Sequence, residues 1–180
     1  MKKLIMVVCT VALTVSLASA ATESYGGYQK GAFYLGPTLG LAYSGFGIGV
    51  NGEYALDKNW GIGGEISYTT FSDDVGAGSY NAQWKYTFVG VLAAGSYHFI
   101  IEKNRRLDPY VKGGLGYFHW GASYSDNQGN RYQNLYGAGY SSGIGIEAAG
   151  GLRYFFKPKL LGRVQVGFPF YLGLGVDFVM

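Results

Sequence analysis

The sequence predicts an all-β protein: an eight-stranded antiparallel up-and-down transmembrane β-barrel. Three observations predict this fold class. Charged residues make up only 14% of the chain, beside 31 glycines and 17 tyrosines, whereas ordinary soluble domains carry about 25% charged residues. Beyond the N-terminal segment, no stretch reaches the roughly 18 consecutive apolar residues of a transmembrane helix. The remaining chain alternates between apolar and small or polar residues with a period of two, and a closed barrel is the spanning structure that strands can form.

The N-terminal segment has the pattern of a secretory signal peptide. Lys2 and Lys3 precede an apolar stretch, and Ala18-Ser19-Ala20 supplies the small residues of a cleavage site. Residues 1–20 are therefore predicted to be removed, and residues 21–180 to form the barrel domain. Removal takes the single cysteine and leaves 12 of the 14 basic residues against 11 acidic ones. This near-neutral balance, without a basic cluster, argues against a nucleic-acid partner.

Eight alternating segments, separated by turn residues, are predicted as strands. They are residues 32–43, 47–56, 60–71, 87–99, 110–120, 143–156, 162–168 and 171–179. The apolar sets of the first four are Phe33, Leu35, Leu39, Leu41, Tyr43; Ile48, Val50, Tyr54, Leu56; Trp60, Ile62, Ile66, Tyr68; and Val89, Val91, Ala93, Tyr97, Phe99. The sets of the last four are Val111, Leu115, Tyr117; Ile144, Ile146, Ala148, Leu152, Tyr154, Phe156; Val164, Val166, Phe168; and Leu172, Leu174, Val176, Phe178. Phe88 and Leu92 interrupt the fourth alternation, and ten shorter strands are the alternative count.

The opposite face of these segments is mainly glycine and small residues, with few charges. Such a face would cover a soluble barrel poorly, but it fits the narrow lumen of eight strands. Tyrosine, tryptophan and phenylalanine near the strand ends match the aromatic girdles of outer-membrane barrels. The apolar sets are therefore predicted to face lipid, and a soluble ligand-binding barrel is the disfavoured alternative.

The even strand number predicts that both chain ends lie on the periplasmic side. Turns at residues 57–59, 100–108 and 157–161 then face the periplasm. The outward connections are residues 44–46, 72–83, 121–142 and the corner at 168–170. Two of these are the longest connections in the chain, as is typical of such barrels.

Several stretches carry a family resemblance. They are Tyr54-Ala-Leu-Asp-Lys-Asn-Trp60 at a turn, Ser96-Tyr-His-Phe99, Pro109-Tyr-Val-Lys-Gly-Gly-Leu-Gly116, and the alternating last strand that ends at Phe178. With them the chain resembles the small outer-membrane β-barrel family that includes the OmpA transmembrane domain and OmpX-like outer membrane proteins. The resemblance implies a location in the cell outer membrane, contact with its lipid and lipopolysaccharide, and recognition of the C-terminal strand by the assembly machinery. Family members usually end on the aromatic residue, whereas Val179 and Met180 follow it here.

Seven ionisable residues fall on the predicted lumen face. They are Glu53, Glu65, Lys112, Glu147, Arg153, Arg163 and Asp177. Buried charges persist when they are paired, so the favoured interpretation is a paired network that fills the lumen. A polar pathway or gate is the alternative. Arg153 and Arg163 are expected to bridge to Glu147, Glu65 or Asp177.

The sequence predicts no catalytic residue, no metal site and no cofactor. His98 is expected at the periplasmic end, and His119 near the outer rim with Ser123, Ser141 and Ser142 nearby. No motif joins these serines and histidines to a carboxylate, as a hydrolase would need. The spacing of the two histidines offers no metal site, and the glycine pairs lack the strand-to-helix context of a phosphate loop.

The longest outward connection contains Tyr124, Tyr132, Tyr136 and Tyr140. Tyrosine among small polar residues suits surface recognition, although a solvated loop whose tyrosines touch lipid headgroups fits equally. The expected function is that of a non-enzymatic outer-membrane barrel that contributes to envelope integrity and presents loops to an unknown extracellular ligand. A lipid A-modifying hydrolase and a small solute pore are the two rivals.

Overall fold

The computed structural model describes residues 27–42, 45–77, 80–127, 131–133 and 142–180. The strands are β1 (Phe33–Ala42), β2 (Gly45–Ala55), β3 (Trp60–Ala77), β4 (Tyr80–His98), β5 (Leu107–Asp126), β6 (Arg131–Gln133), β7 (Gly143–Lys157), β8 (Leu160–Phe168) and β9 (Leu172–Val179). Within these ranges, no helix has the length and apolar character needed to cross a membrane. The predicted signal peptide at residues 1–20 lies outside the described residues and stays a prediction.

Eight of the strands, β1 to β5 and β7 to β9, close into an antiparallel up-and-down barrel. β9 returns to pair with β1, so that Leu39 lies opposite Leu174 and the sheet has no free edge along this seam. β6 is a three-residue strand that pairs with the far end of β5 at Ser123–Ser125. The predicted eight-stranded barrel is confirmed, and the alternative of ten shorter strands is wrong.

The two faces of the wall carry the residues that the alternation assigns to them. Leu174 is 55% exposed on the outside, whereas its near neighbour Asp177 is fully buried in the lumen. One row of exposed, lipid-facing residues crosses four paired strands through Ile66, Val91, Tyr117 and Ile144. Phe88 and Leu92, which interrupt the alternation of the fourth segment, are buried. The side chains of these two residues point into the lumen and fill part of it.

The two ends of the barrel differ. The terminal end carries both ends of the described chain and the turns at residues 56–59, 99–106 and 158–159. At the first of these turns, Asp57 Oδ1 accepts hydrogen bonds from the backbone N–H groups of Asn59 and Trp60 at 2.6 and 2.7 Å. These two bonds favour the charged carboxylate and hold the pKa of Asp57 below its ordinary value. The opposite end, the hairpin end, carries the long β3–β4 hairpin.

Three strands extend much further at the hairpin end than the sequence predicts. The segments 72–83 and 121–142 were expected to be connections. Instead, β3 runs to Ala77, β4 begins at Tyr80, and β5 continues to Asp126. The β3–β4 ladder is continuous along this extension.

In this extension the apolar side chains face inward and the polar ones face outward, the reverse of the pattern in the rest of the barrel. The search for outward-facing apolar residues therefore did not predict these strand ends. Phe71 and Trp84 continue the lumen-facing parity, whereas polar residues take the outer face, where Gln83 Nε2 donates to Asp74 Oδ1 at 2.8 Å. The outer face of a strand beyond the lipid band meets water rather than hydrocarbon. Outward-facing apolar residues therefore occur only within the lipid band, and their alternation predicts each strand only as far as the edge of that band.

A doubly closed lumen as the candidate functional site

A buried cluster at the terminal end centres on Glu53. Arg153 Nη2 donates to Glu53 Oε2 at 2.5 Å, and His98 Nε2 lies 2.8 Å from Glu53 Oε1. The other ring nitrogen of His98 lies 2.8 Å from Asp108 Oδ1. An ionised carboxylate only accepts hydrogen bonds, so the two contacts are both satisfied when His98 carries both ring protons. The cluster thus sets Arg153 and His98 between two carboxylates.

Arg153 is held on its flat faces as well as at its edge. Its guanidinium carbon lies 5.2 Å from the ring centroid of Tyr34 and 4.9 Å from that of Tyr110. Such cation–π contacts stabilise a cation most when it is buried away from solvent. The side chain is 1% exposed, and Asp108 and Asp177 approach it to 4.0 and 3.9 Å.

Arg163 forms the second ion pair. Its Nε and Nη2 donate to the two oxygens of Asp177 at 2.9 and 3.2 Å, in the bidentate geometry that favours arginine. The guanidinium also donates to Thr38 Oγ1 at 2.9 Å and to Gln165 Oε1 at 2.8 Å. Nearly every donor direction of this group therefore has a partner.

Lys112 forms the third group, near the middle of the lumen. Its Nζ lies 2.7 Å from Glu65 Oε2 and 2.5 Å from Glu147 Oε1, so two carboxylates share one ammonium group. A void of about 10 Å³ beside it is lined by Asn51, Glu53 and other residues. A void of this size holds about one water molecule.

Aromatic rings fill the lumen towards the hairpin end. Phe88 and Phe118 stack with their centroids 5.2 Å apart, and Leu92 packs with them. Phe170 is also buried and lies so close to Gly40 that a Cβ there would overlap its ring. The corner at residues 168–170 was expected at the extracellular end of the barrel, and within it Phe170 turns into the lumen because glycines in the wall leave room for its ring. We call Phe88, Leu92, Phe118 and Phe170 the aromatic layer. We call the buried side chains of the three groups around Glu53, Arg163 and Lys112 the ionic layer.

All seven ionisable residues predicted for the lumen lie there and are ion-paired. The predicted pairing of Arg163 with Asp177 is present. Arg153 also approaches Asp177, to 3.9 Å, whereas the other two expected partners, Glu65 and Glu147, are both taken by Lys112 and not by an arginine. The shortest contact of Arg153 is with none of these three. Arg153 instead pairs with Glu53, which approaches from across the lumen.

Two ionisable members of the ionic layer were not predicted from the sequence. His98 was expected at the periplasmic end and Asp108 in a turn, and both are buried in the lumen. The alternation contains the signal for each. His98 stands between the outward residues Tyr97 and Phe99, and Asp108 precedes the inward Lys112 by four residues.

A row of rings continues from the aromatic layer onto the inner side of the hairpin-end extension. Phe71 stacks on Tyr86 at 4.8 Å, and Trp84 lies 5.1 Å from Tyr124. We call these four residues the aromatic face. Of the predicted surface tyrosines, Tyr124 belongs to this face and Tyr132 lies in β6, whereas Tyr136 and Tyr140 lie outside the described residues.

The histidine expected near the outer rim has one of its predicted serine neighbours. Ser142 Oγ lies 3.1 Å from His119 Nδ1, and it accepts a hydrogen bond from the backbone N–H of Trp120. No carboxylate of the described residues is hydrogen-bonded to His119, and Ser141 lies outside them. In the same described ranges, no group of three or more histidine, cysteine and acidic side chains is arranged to hold a metal ion.

Comparison with known protein families shows which family the chain belongs to. Residues 7–168 match the family model of the outer membrane protein beta-barrel domain. Because this match spans most of the chain, the protein belongs to that family. The lipid-facing wall and the filled lumen are those of an outer-membrane β-barrel protein, and the family locates it in the outer membrane. No curated protein sequence matches the chain.

Solved structures of other outer-membrane barrels are similar to this one. The outer membrane protein OprG from Pseudomonas aeruginosa is 11% identical, with a TM-score of 0.55 over 86% of this chain and 92% of that chain. Ail, the attachment invasion locus protein of Yersinia pestis, in complex with the heparin analogue sucrose octasulfate, is 15% identical, with a TM-score of 0.48 over 84% and 96%. The N-terminal β-barrel domain of Pseudomonas aeruginosa OprF is 15% identical, with a TM-score of 0.47 over 84% and 98%. At such identity the likeness to OprG shows a shared fold.

Proposed function

We propose that the protein is a non-conducting, non-enzymatic outer-membrane barrel that contributes to envelope integrity and presents its hairpin end to an extracellular ligand. The doubly closed lumen carries this proposal. Ion flow through a barrel needs a continuous path of water, and both layers occupy the space that such a path would need. Eight strands leave an interior just wide enough for side chains, and here these side chains are large.

The envelope role is tested by the permeability of the outer membrane. A strain lacking the gene takes up more of a hydrophobic fluorescent dye, and the wild-type gene restores the barrier. A variant with Trp84→Ala and Tyr124→Ala keeps the closed lumen, so we expect it to restore the barrier fully. It loses two rings of the aromatic face, so we expect it to lose binding of the extracellular ligand. Equal dye uptake with and without the gene would contradict the envelope role.

The proposed orientation sets the terminal end in the periplasm and the hairpin end outside, as barrels with short turns at one end and long hairpins at the other are arranged. The wall then contacts phospholipid and lipopolysaccharide. The assembly machinery recognises β9, in which Leu172, Leu174 and Val176 are exposed on the outer face of the wall. Deleting residues 178–180 leaves precursor in the periplasm, whereas Met180→Ala assembles normally. Unchanged insertion of the truncated chain would refute this reading of β9.

A lipid A-modifying hydrolase is the second candidate, and the Ser142–His119 contact is the observation in its favour. Mass spectrometry of lipid A separates the two candidates. We expect the same lipid A profile from the wild type, the deletion strain and a His119→Ala strain. A change that the deletion and His119→Ala share would establish the hydrolase.

A further inference from the structure

The barrel wall is incomplete beside the first residues of β7. On one edge, β7 pairs with β5 as far as Gly143, which lies opposite Phe118. On its other edge, the ladder with β8 begins only at Ala148, opposite Phe168. Residues 143–147 therefore have a neighbouring strand on one side and, within the described part of the chain, no β8 partner on the other. β8 is too short to cover them, with nine residues against fifteen in β7.

A pocket of about 510 Å³ opens at this gap. Phe88 and Phe118 of the aromatic layer form its floor, Phe168 lines one side, and Ile144 and Ile146 line the other. Trp120 also contributes to the lining. Apart from the indole N–H, the lining side chains are apolar, and the volume falls in the range of small-molecule sites.

The mouth of the pocket lies on the lipid-facing surface. Ile144 belongs to the exposed row that crosses from Ile66 through Val91 and Tyr117. Ile144 and Ile146 are 85% and 68% exposed, so protein covers little of either side chain on this face. The pocket thus continues the lipid contact of the wall inward to the aromatic layer.

We propose that this pocket holds one acyl chain of a lipid from the surrounding leaflet. Water is a poor occupant, because a water molecule needs two to four polar partners and this lining offers little beyond one indole N–H. An acyl chain supplies the contacts that a longer β8 would have made with Ile144 and Ile146. Its end reaches the rings of Phe88 and Phe118. In the proposed orientation this lipid belongs to the outer leaflet, and the site adds a fixed lipid contact to a barrel that does not conduct.

Tryptophan fluorescence in vesicles tests the proposal on the full barrel. A Trp60→Phe, Trp84→Phe variant leaves Trp120 as the reporter in the pocket, and a Trp84→Phe, Trp120→Phe variant leaves the exposed Trp60 as a reference for bulk lipid. The probe is phosphatidylcholine brominated midway along one acyl chain. We expect Trp120, which lies on the lumen-facing parity, to be quenched about as strongly as Trp60. A Trp120 signal that the brominated lipid leaves unchanged would overturn the proposal, and the variant that carries this reporter keeps the pocket lining unchanged.

Filling the pocket gives the matched control. A Cβ at Gly143 meets no atom within 4 Å, and Gly143 lines the pocket, so we expect Gly143→Leu to place its side chain there. Gly150 on the same strand is equally open outside the pocket, with its nearest contact at 3.8 Å. Gly143→Leu should remove most of the Trp120 quenching and leave that of Trp60, and Gly150→Leu should change neither. Unchanged Trp120 quenching in Gly143→Leu, or quenching by aqueous iodide in place of brominated lipid, would contradict a seated acyl chain.

Discussion

The ionic and aromatic layers fill the same lumen with opposite chemistry. Towards the terminal end, groups such as Arg153, Glu53 and His98 meet at hydrogen-bonding distances. Towards the hairpin end, Phe88, Phe118 and Phe170 are buried where the wall carries glycine. Both layers fill the space that a continuous path of water would need, but they respond differently to loss of one member. A lost ring leaves a void, whereas a lost charge leaves its partner buried and unpaired.

The largest expected effect comes from removing a charge of the ionic layer. Arg153→Ala leaves Glu53, Asp108 and Asp177 without this guanidinium, and we expect it to lower the free energy of unfolding by about 3–5 kcal/mol. Denaturant titration of the detergent-folded barrel, followed by heat-modifiable gel migration, measures this change. Arg105→Ala, at an exposed turn, is the control and should stay within about 0.5 kcal/mol of the wild type. A loss below about 1 kcal/mol for Arg153→Ala would mean that water screens the ionic layer.

A smaller effect is expected from crowding the aromatic layer. Gly40→Ala places a methyl group against the ring of Phe170, which must shift. Overpacking of this kind costs about 1–3 kcal/mol. Gly113→Ala is the matched control, because its Cβ points outward with its nearest neighbour at 3.8 Å. If both variants unfold at the same denaturant concentration, the aromatic layer is loosely packed.

The smallest effect contrasts two buried hydroxyl groups. Thr38 accepts a hydrogen bond from Arg163, whereas Ser67 Oγ has no hydrogen-bond partner among the described residues. Thr38→Val should cost about 1.5 kcal/mol because it removes a hydrogen bond to a charged group. Ser67→Ala should be neutral or stabilising, since it removes an unsatisfied polar atom. The same unfolding titration checks both, and a larger loss from Ser67→Ala than from Thr38→Val would reverse the assignment.

Alternation predicted the faces of the barrel because lipid and lumen impose opposite demands on neighbouring side chains of a strand. It placed Glu53, Lys112 and Arg153 correctly on the inner face. It did not predict that Arg153 meets Glu53, since a period of two gives the face of a residue but not its height. Height depends on strand tilt and stagger, which bring β2 and β7 together across the lumen.

The aromatic layer was harder to predict for a different reason. Phe88 and Phe170 are as apolar as the lipid-facing residues, so composition alone does not separate the two environments. The inward turn of Phe170 depends on the space left by Gly40 and Gly47 on neighbouring strands. That space comes from the register between β1 and β2, which a single strand does not encode.

Conductance in a planar lipid bilayer tests the closed lumen most directly. The wild-type barrel, with insertion verified by protease protection and heat-modifiable migration, should give no stable current. Its ionic and aromatic layers would have to separate before ions could pass, and ion pairs buried this deeply separate at a cost of several kcal/mol. A silent, inserted barrel is the result that two intact layers predict. A stable, ion-selective open conductance from the wild type would contradict the closed lumen and establish the pore.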